Sequence, residues 1–382
     1  MLKILTIIGA RPQIIKAAAL SRAIRESFSD KIKEVLLHTG QHYDQNMSEV
    51  FFEQLGIPQP DYNLNVGSGA HGKQTATMIS GIEEVLLKEQ PDYLVLYGDT
   101  NSTLAGAIAA SKIHIPIVHI EAGLRSFNKS MPEEINRIMC DHASTMLFSP
   151  TLTGIHNLER EGFCMINSAP FSIDNPGVFH SGDVMYDNSL HFATLSELQS
   201  RIIYNLGLKN KPFILATIHR DNNTDQPERL NGIFEAVYQI SLQKKIDIVL
   251  PLHPRTSKLL KQNLSTTLYS NFKNHSKIHL IAPVSFLDMI ALEKNAVMVM
   301  TDSGGVQKEA FYFEKPCIIM RPETEWVEIV EQGAGMICDA DSDRITAAVF
   351  HFMGDANPSF PKIFGDGKAA WFICEQLLKN KN

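Results

Sequence analysis

The chain has 382 residues, more than one ordinary hydrophobic core organises, so two domains are expected. Hydrophobic residues make up 44% and charged residues 20%, the profile of a soluble globular protein. The formal net charge of −7 argues against a nucleic acid or an anionic membrane surface as partner.

The first apolar run, Leu2 to Ile8, is too short to cross a membrane. It leads straight into Gly-Ala-Arg-Pro with no signal-peptide cleavage site, and no later run approaches about 18 residues. Five scattered cysteines (Cys140, Cys164, Cys317, Cys338, Cys374), with no Cys-x-x-Cys, argue against a disulfide framework or structural zinc and fit a cytoplasmic location. Buried strands are expected at Lys3–Ile8, Glu34–His38, Tyr93–Tyr97, Ile117–Ile120 and Thr145–Phe148. Helical patterns separate them at Ile14–Glu26, Met47–Leu55, Gly72–Glu89 and Ser102–Lys112. The stretch Ile166–Asp183, rich in Ser, Pro, Gly and Asn, reads as a linker. The alternation then restarts, with strands at Phe213–Thr217, Asp247–Leu250, Ile278–Ile281, Val297–Thr301 and Cys317–Met320, and Gly367–Leu378 reads as a closing helix. Strand and helix in alternation predict an α/β fold of two Rossmann-like, doubly wound parallel-sheet domains facing a cleft. The expected divisions are 1–175, 176–365 and a helix over 366–382 packing back on the first domain.

The polar motifs fall just after the expected strands, where open parallel sheets bind ligands. Gly9-Ala10-Arg11-Pro12 follows the first; Pro12 suits a helix start whose free amides attract anions, and Arg11 and Lys16 add positive charge. It is not Gly-x-Gly-x-x-Gly, so the dinucleotide fingerprint is absent. Gly98-Asp99-Thr100-Asn101 places Asp99 at a strand end, suited to proton transfer or to capping the next helix. Glu121-Ala122-Gly123-Leu124-Arg125 follows Ile117–Ile120. In Pro132-Glu133-Glu134-Ile135-Asn136-Arg137, Glu133 and Arg137 stand four apart on one helix face, while Glu134 fits an acidic first turn.

In the second half, His219-Arg220 suits phosphate contact, and His253-Pro254-Arg255 is a weaker echo. Asp302-Ser303-Gly304-Gly305 precedes a helix, so Ser303 and the amides at Gly304 and Gly305 suit phosphate oxygens, with Glu309 placed for ribose hydroxyls. None of the 14 histidines shows metal-ligand spacing, and Gln41-His42-Tyr43-Asp44 reads as a polar loop.

In order and placement, these motifs resemble the non-hydrolysing UDP-N-acetylglucosamine 2-epimerases, which have the two-domain GT-B fold, and the resemblance spans nearly the whole chain. It implies a UDP-sugar substrate, no redox cofactor and no metal, and a homodimer. Inversion at carbon 2 would proceed by elimination of UDP to a 2-acetamidoglucal and re-addition, with the domains closing over the reaction. It implies Asp99, Glu121 and Glu133 as acid/base residues steadied by Arg137. Arg11, Lys16, His219, Arg220, Ser303, Gly304, Gly305 and Glu309 would sit around UDP, with His219 also near the chemistry. The short Ser-Phe-Asn-Lys-Ser-Met segment before Pro132 and the Gln41-His42-Tyr43-Asp44 run, together with Gly-Ala-Arg-Pro-Gln-Ile-Ile-Lys over 9–16, also resemble the branch acting on UDP-2,3-diacetamido-2,3-dideoxyglucuronate. A GT-B glycosyltransferase, needing an acceptor and one principal base, and a nucleotide-sugar binding protein without turnover are the competing classes.

Overall fold

The computed structural model describes residues 1–40, 56–252, 254–354 and 356–381. The expected helix Met47–Leu55, the run Gln41-His42-Tyr43-Asp44 and His253 lie outside the described residues.

The chain forms two compact units, Met1–Asn188 with Lys362–Asn382, and Ser189–Pro361. The first carries β1 (Leu2–Ile8), β2 (Ile32–His38), β3 (Tyr62–Asn63), β4 (Tyr93–Tyr97), β5 (Ile117–Ile120), β6 (Met146–Ser149) and β7 (Gly177–His180), in the order β3-β2-β1-β4-β5-β6-β7. The second carries β8 (Phe213–Thr217), β9 (Asp247–Pro251), β10 (Ile278–Ile281), β11 (Met298–Thr301), β12 (Cys317–Ile319) and β13 (Gly335–Ile337), in the order β10-β9-β8-β11-β12-β13. The paired strands run parallel. Each unit is therefore the doubly wound α/β sheet expected from the alternating pattern. Helices cover both faces of a parallel sheet, so its strands are continuously apolar: all five residues of β4 and of β8 are buried.

Strand order reverses between β1 and β4 in one sheet and between β8 and β11 in the other. Chain leaving the carboxyl ends of these strands diverges and opens a crevice. The segments after β1, β4, β8 and β11 are the ones that carry Arg11, Asp99, His219 and Ser303.

One departure concerns the chain between the sheets. The expected linker Ile166–Asp183 holds β7, which pairs in register with β6 from Met146↔Gly177 to Ser149↔His180. Residues 176–188, assigned from sequence to the second domain, thus lie in the first unit. A four-residue edge strand after a Pro- and Ser-rich run offers no periodicity to detect. The closing helix Ala369–Lys379 packs on the first unit, with Phe372 edge-on to Phe148 at 6.4 Å and Trp371 5.9 Å from Phe28. The orphan amides of Ala369 and Ala370 at its start donate to Asp187 at 3.1 and 2.8 Å. Burial pushes the Asp187 carboxyl up to about 6, despite these two amides.

The main core of the second unit joins Ile214 and Ala216 of β8 and Ile248 and Leu250 of β9 to Leu230, Phe234 and Val237 of the helix Pro227–Lys244. Phe234 is fully buried, its ring 4.9 Å from that of Phe272. Phe234→Ala should destabilise this unit by about 3–5 kcal/mol, read as an earlier denaturant midpoint for the second unit. A shift below about 1 kcal/mol would show that the neighbours collapse into the space.

Candidate active site

The first unit's site grows from the ends of β4 and β5. At Gly98, just after β4, φ is +60°, and a Cβ there would lie 2.9 Å from Lys16 Nζ and 3.1 Å from Glu121 Oε2. The positive φ favours glycine, and its missing side chain leaves room for the Lys16 and Glu121 head groups. Lys16 and Glu121 form an ion pair against this turn, their side chains only 14% and 10% exposed. Asp99, the next residue, receives the Arg137 guanidinium at 2.5 Å, and its carbonyl accepts from Asn136 Nδ2 at 2.8 Å. Two carboxylates at adjoining strand ends therefore each carry a cationic partner, an arrangement suited to proton transfer beside an anionic ligand.

Glu121 itself has φ +75°, and Gly123 follows at φ +80°, where a Cβ would meet the Gly154 carbonyl at 2.3 Å. This sharp return explains the Glu-Ala-Gly spacing. At the start of β1's helix, Gln13 is a residue that the sequence motif did not single out. Buried, it donates to the Tyr97 carbonyl at 3.1 Å and to Thr103 at 3.0 Å, tying the segment after β1 to the end of β4. A glutamine at the third helical position was its only sequence signal.

Of the two glutamates that follow Pro132, Glu134 is the one that meets Arg137. Glu133 is exposed on the first turn of the helix Pro132–Ala143, and Arg137 pairs with Glu134 at 2.8 Å. Glu134 is 1% exposed and accepts the amides of Ser126 and Phe127, each at 2.9 Å. Burial opposes its charge, but those amides and Arg137 outweigh it and hold the carboxyl below the usual range. One position along the helix, about 100° of rotation, separates the carboxylate that fastens the loop from the one left exposed.

In the second unit, the ends of β8 and β11 are joined by Thr217 and Thr301, whose hydroxyls lie 2.6 Å apart. Asp302 is fully buried and accepts the backbone amides of His219 (3.1 Å) and Arg220 (3.0 Å) and Nδ2 of Asn223 (3.1 Å). Its Oδ1 also lies 3.1 Å from His219 Nδ1. Burial would raise its pKa; His219 and the amides prevail and hold it below the usual range. The His219 side chain is 52% exposed, so Nε2 is the ring nitrogen left to meet a ligand. Arg220 and, in the first unit, Arg11 are exposed too.

Ser303 opens the helix Gly304–Tyr312, its amide donating to Thr301 Oγ1 at 2.9 Å. A Cβ at Gly304 would press on Glu325 Oε1 at 3.0 Å, whereas at Gly305 the nearest neighbour is Ser303 Oγ at 3.8 Å. Packing does not require glycine at Gly305. Its lack of a side chain instead leaves the helix's first amides open to an anion. Among the described residues, no group of three His, Cys, Asp or Glu side chains is placed to hold a metal ion, and no helix is long and apolar enough to cross a membrane.

Glu309, half-buried on this helix, faces Glu293 of the helix Phe286–Asn295. Glu293 is fully buried, and neither of its oxygens meets a donor group. Two carboxyl groups share a hydrogen bond only when one is protonated. Burial first, then the charge and hydrogen bond of Glu309, push the Glu293 pKa well above the usual range. An acid with a raised folded-state pKa stabilises fully below its unfolded value and loses that contribution as pH rises toward the folded one. Glu293→Gln should therefore raise the thermal midpoint more at about pH 8 than at about pH 5. An equal effect at both would show that Glu293 is not proton-linked to folding.

Together, two Rossmann-like units whose strand ends set carboxylates beside cations and leave amides open suit an enzyme acting on an anionic ligand. The profile of the family described as UDP-N-acetylglucosamine 2-epimerase matches residues 25–378. A UDP-2,3-diacetamido-2,3-dideoxy-D-glucuronate 2-epimerase of Pseudomonas aeruginosa is 48% identical over 99% of this chain and 100% of its own. A UDP-N-acetylglucosamine 2-epimerase of Methanocaldococcus jannaschii is 41% identical over the full length of both. The crystal structure of the M. jannaschii UDP-GlcNAc 2-epimerase in complex with UDP-GlcNAc and UDP matches with a TM-score of 0.82 at 40% identity, covering 99% of this chain and 100% of that one. The chain belongs to the UDP-N-acetylglucosamine 2-epimerase family, and as a UDP-sugar 2-epimerase it is an isomerase.

Proposed function

We propose that the enzyme interconverts UDP-N-acetylglucosamine and UDP-N-acetylmannosamine, without a cofactor, by eliminating and re-adding UDP. The observation that carries this is the pair Asp99–Arg137 and Glu121–Lys16 at adjoining strand ends, in a chain 41% identical to a UDP-N-acetylglucosamine 2-epimerase.

The proton on carbon 2 is not adjacent to a carbonyl, so a base alone removes it poorly. As the carbon 1–oxygen bond breaks, its electron pair leaves with UDP, carbon 1 becomes electron-poor and the carbon 2 proton becomes acidic. A carboxylate accepts that proton, the two carbons form a double bond, and the glycal and UDP stay bound. A proton delivered to the opposite face of carbon 2 and return of UDP to carbon 1 complete the inversion, with no net change in atoms or electrons. Asp99, Glu121 and the exposed Glu133 are the proton-transfer candidates, and Arg137 steadies Asp99. His219, Arg220, Ser303 and the amides at Gly304 and Gly305 hold the diphosphate, Glu309 takes the ribose, and Arg11 and Lys16 add positive charge. These cations stabilise charge that grows as UDP departs.

A second substrate, the UDP-diacetamido-glucuronate sugar, is favoured by the 48% identity to the Pseudomonas enzyme. Scattered cysteines fit a cytoplasmic enzyme, and the family resemblance favours a homodimer that supplies polysaccharide synthesis.

Incubation with each UDP-sugar in heavy water, without acceptor, should give deuterium at carbon 2 and the epimeric product by NMR. The sugar with the higher kcat/KM is the substrate. Asp99→Asn and Glu121→Gln should each lower kcat by about 10²–10⁴-fold while UDP still binds. Exchange with neither sugar, or turnover only when an acceptor is added, would overturn the epimerase reading in favour of a binding protein or a glycosyltransferase.

A further inference from the structure

Beneath the two carboxylates lies a buried charge network that none of the residues assigned above belongs to. His119 sits on β5, two residues before Glu121, and is fully buried. Its Nδ1 lies 2.6 Å from Asp141 Oδ1 and its Nε2 lies 2.8 Å from the Gly98 carbonyl oxygen. A carbonyl only accepts, so Nε2 carries a proton. Asp141 is held as a carboxylate from its other side: Oδ2 accepts the Gly123 amide at 3.1 Å and pairs with Arg125 at 2.7 Å. A carboxylate also only accepts, so Nδ1 carries a proton as well and the ring is an imidazolium.

The charges balance. His119 and Arg125 are cations; Asp141 and Glu161 are anions, and Arg125 closes the chain with two bonds of 2.7 Å to Glu161. A lone buried imidazolium would be costly, whereas one enclosed by a paired carboxylate and a carbonyl is supported. Burial opposes the ring's charge, but Cys140 and Asp141, the titratable groups that act on it, outweigh burial and hold its pKa well above the ordinary value.

The network's ends decide what it does. Gly98 precedes Asp99, and Gly123 closes the turn that begins at Glu121. We propose that His119 and Asp141 form a positioning pair for proton transfer. The imidazolium holds the Gly98 carbonyl and so places Asp99; the carboxylate holds the Gly123 amide and so places Glu121. One buried ion pair thereby fixes the separation of two carboxylates that act on one carbon. This rests on the reading of Asp99 and Glu121 as proton-transfer groups.

The experiment has two arms. In wild-type protein carrying ¹⁵N-labelled histidine, one imidazole should keep both nitrogens at the protonated shift from about pH 6 to about pH 8.5, while exposed histidines titrate near 6.5. Absence of any doubly protonated ring over that range overturns the proposal, and this arm requires neither a variant nor turnover. The buried His38, whose pKa desolvation lowers to about 4, stays neutral there and is not the ring at issue. In the second arm, Asp141→Asn keeps the side chain's shape but removes its charge. Its kcat should fall by about 10²-fold, with KM and the affinity for UDP within about two-fold of wild type. An unchanged kcat, or a loss confined to KM, overturns it. Should wild type turn over neither UDP-sugar, the functional reading fails by itself, and the ¹⁵N spectrum still decides whether the buried ring is charged.

Discussion

The Gly98-Asp99 turn is gripped at three points, and the first unit's chemistry depends on that grip. His119 donates to the Gly98 carbonyl, Asn136 donates to the Asp99 carbonyl, and Arg137 takes the Asp99 carboxylate. A strand end has run out of sheet partners, so its last carbonyls must find donors elsewhere. Here those donors are side chains from β5 and from the helix Pro132–Ala143. Satisfying the backbone and placing a reactive carboxylate are thus one task. The same helix returns Glu134 to the loop at Ser126 and Phe127, so the Glu121 segment is pinned on its far side as well.

The second unit meets the same need with opposite charge. There a buried carboxylate, Asp302, gathers the amides of His219 and Arg220 and the side chain of Asn223. The exposed His219 and Arg220 side chains, with the open amides at Gly305, present donors to an anion. The first unit organises carboxylates with cations and the second organises donors with a carboxylate. Both do so at or beside the point where strand order reverses, because there the segments leaving neighbouring strands part company.

Most of this architecture was legible in the residues. Unbroken apolar runs gave β4 and β8 with their observed bounds, because a strand buried on both faces needs such a sequence. The strand β5 and the edge strand β10 also have their expected bounds, although a histidine interrupts each. The polar motifs could be placed because each follows such a strand. The short edge strand β7 was hidden in a stretch read as a linker, since four residues at a sheet's rim carry too little pattern. Glu133 and Glu134 were both visible, and Glu134 fitted an acidic first turn, but its hold on the 126–131 loop was not; which glutamate turns inward depends on where that loop lies. His119 and Asp141 were not legible as a pair, for 22 residues separate them and neither belongs to a short motif.

What the sequence determined by itself was local: the alternation of strand and helix, the glycines at sharp returns, and which charged residues stand at strand ends. These follow from periodicity and backbone sterics, which act over a few residues. The tertiary structure decided which charges meet. It paired Lys16 with Glu121, Asp99 with Arg137, and His119 with both Asp141 and Gly98, across separations of 21 to 105 residues. Coulomb attraction and desolvation depend on distance and burial in space, and folding, not spacing along the chain, sets both.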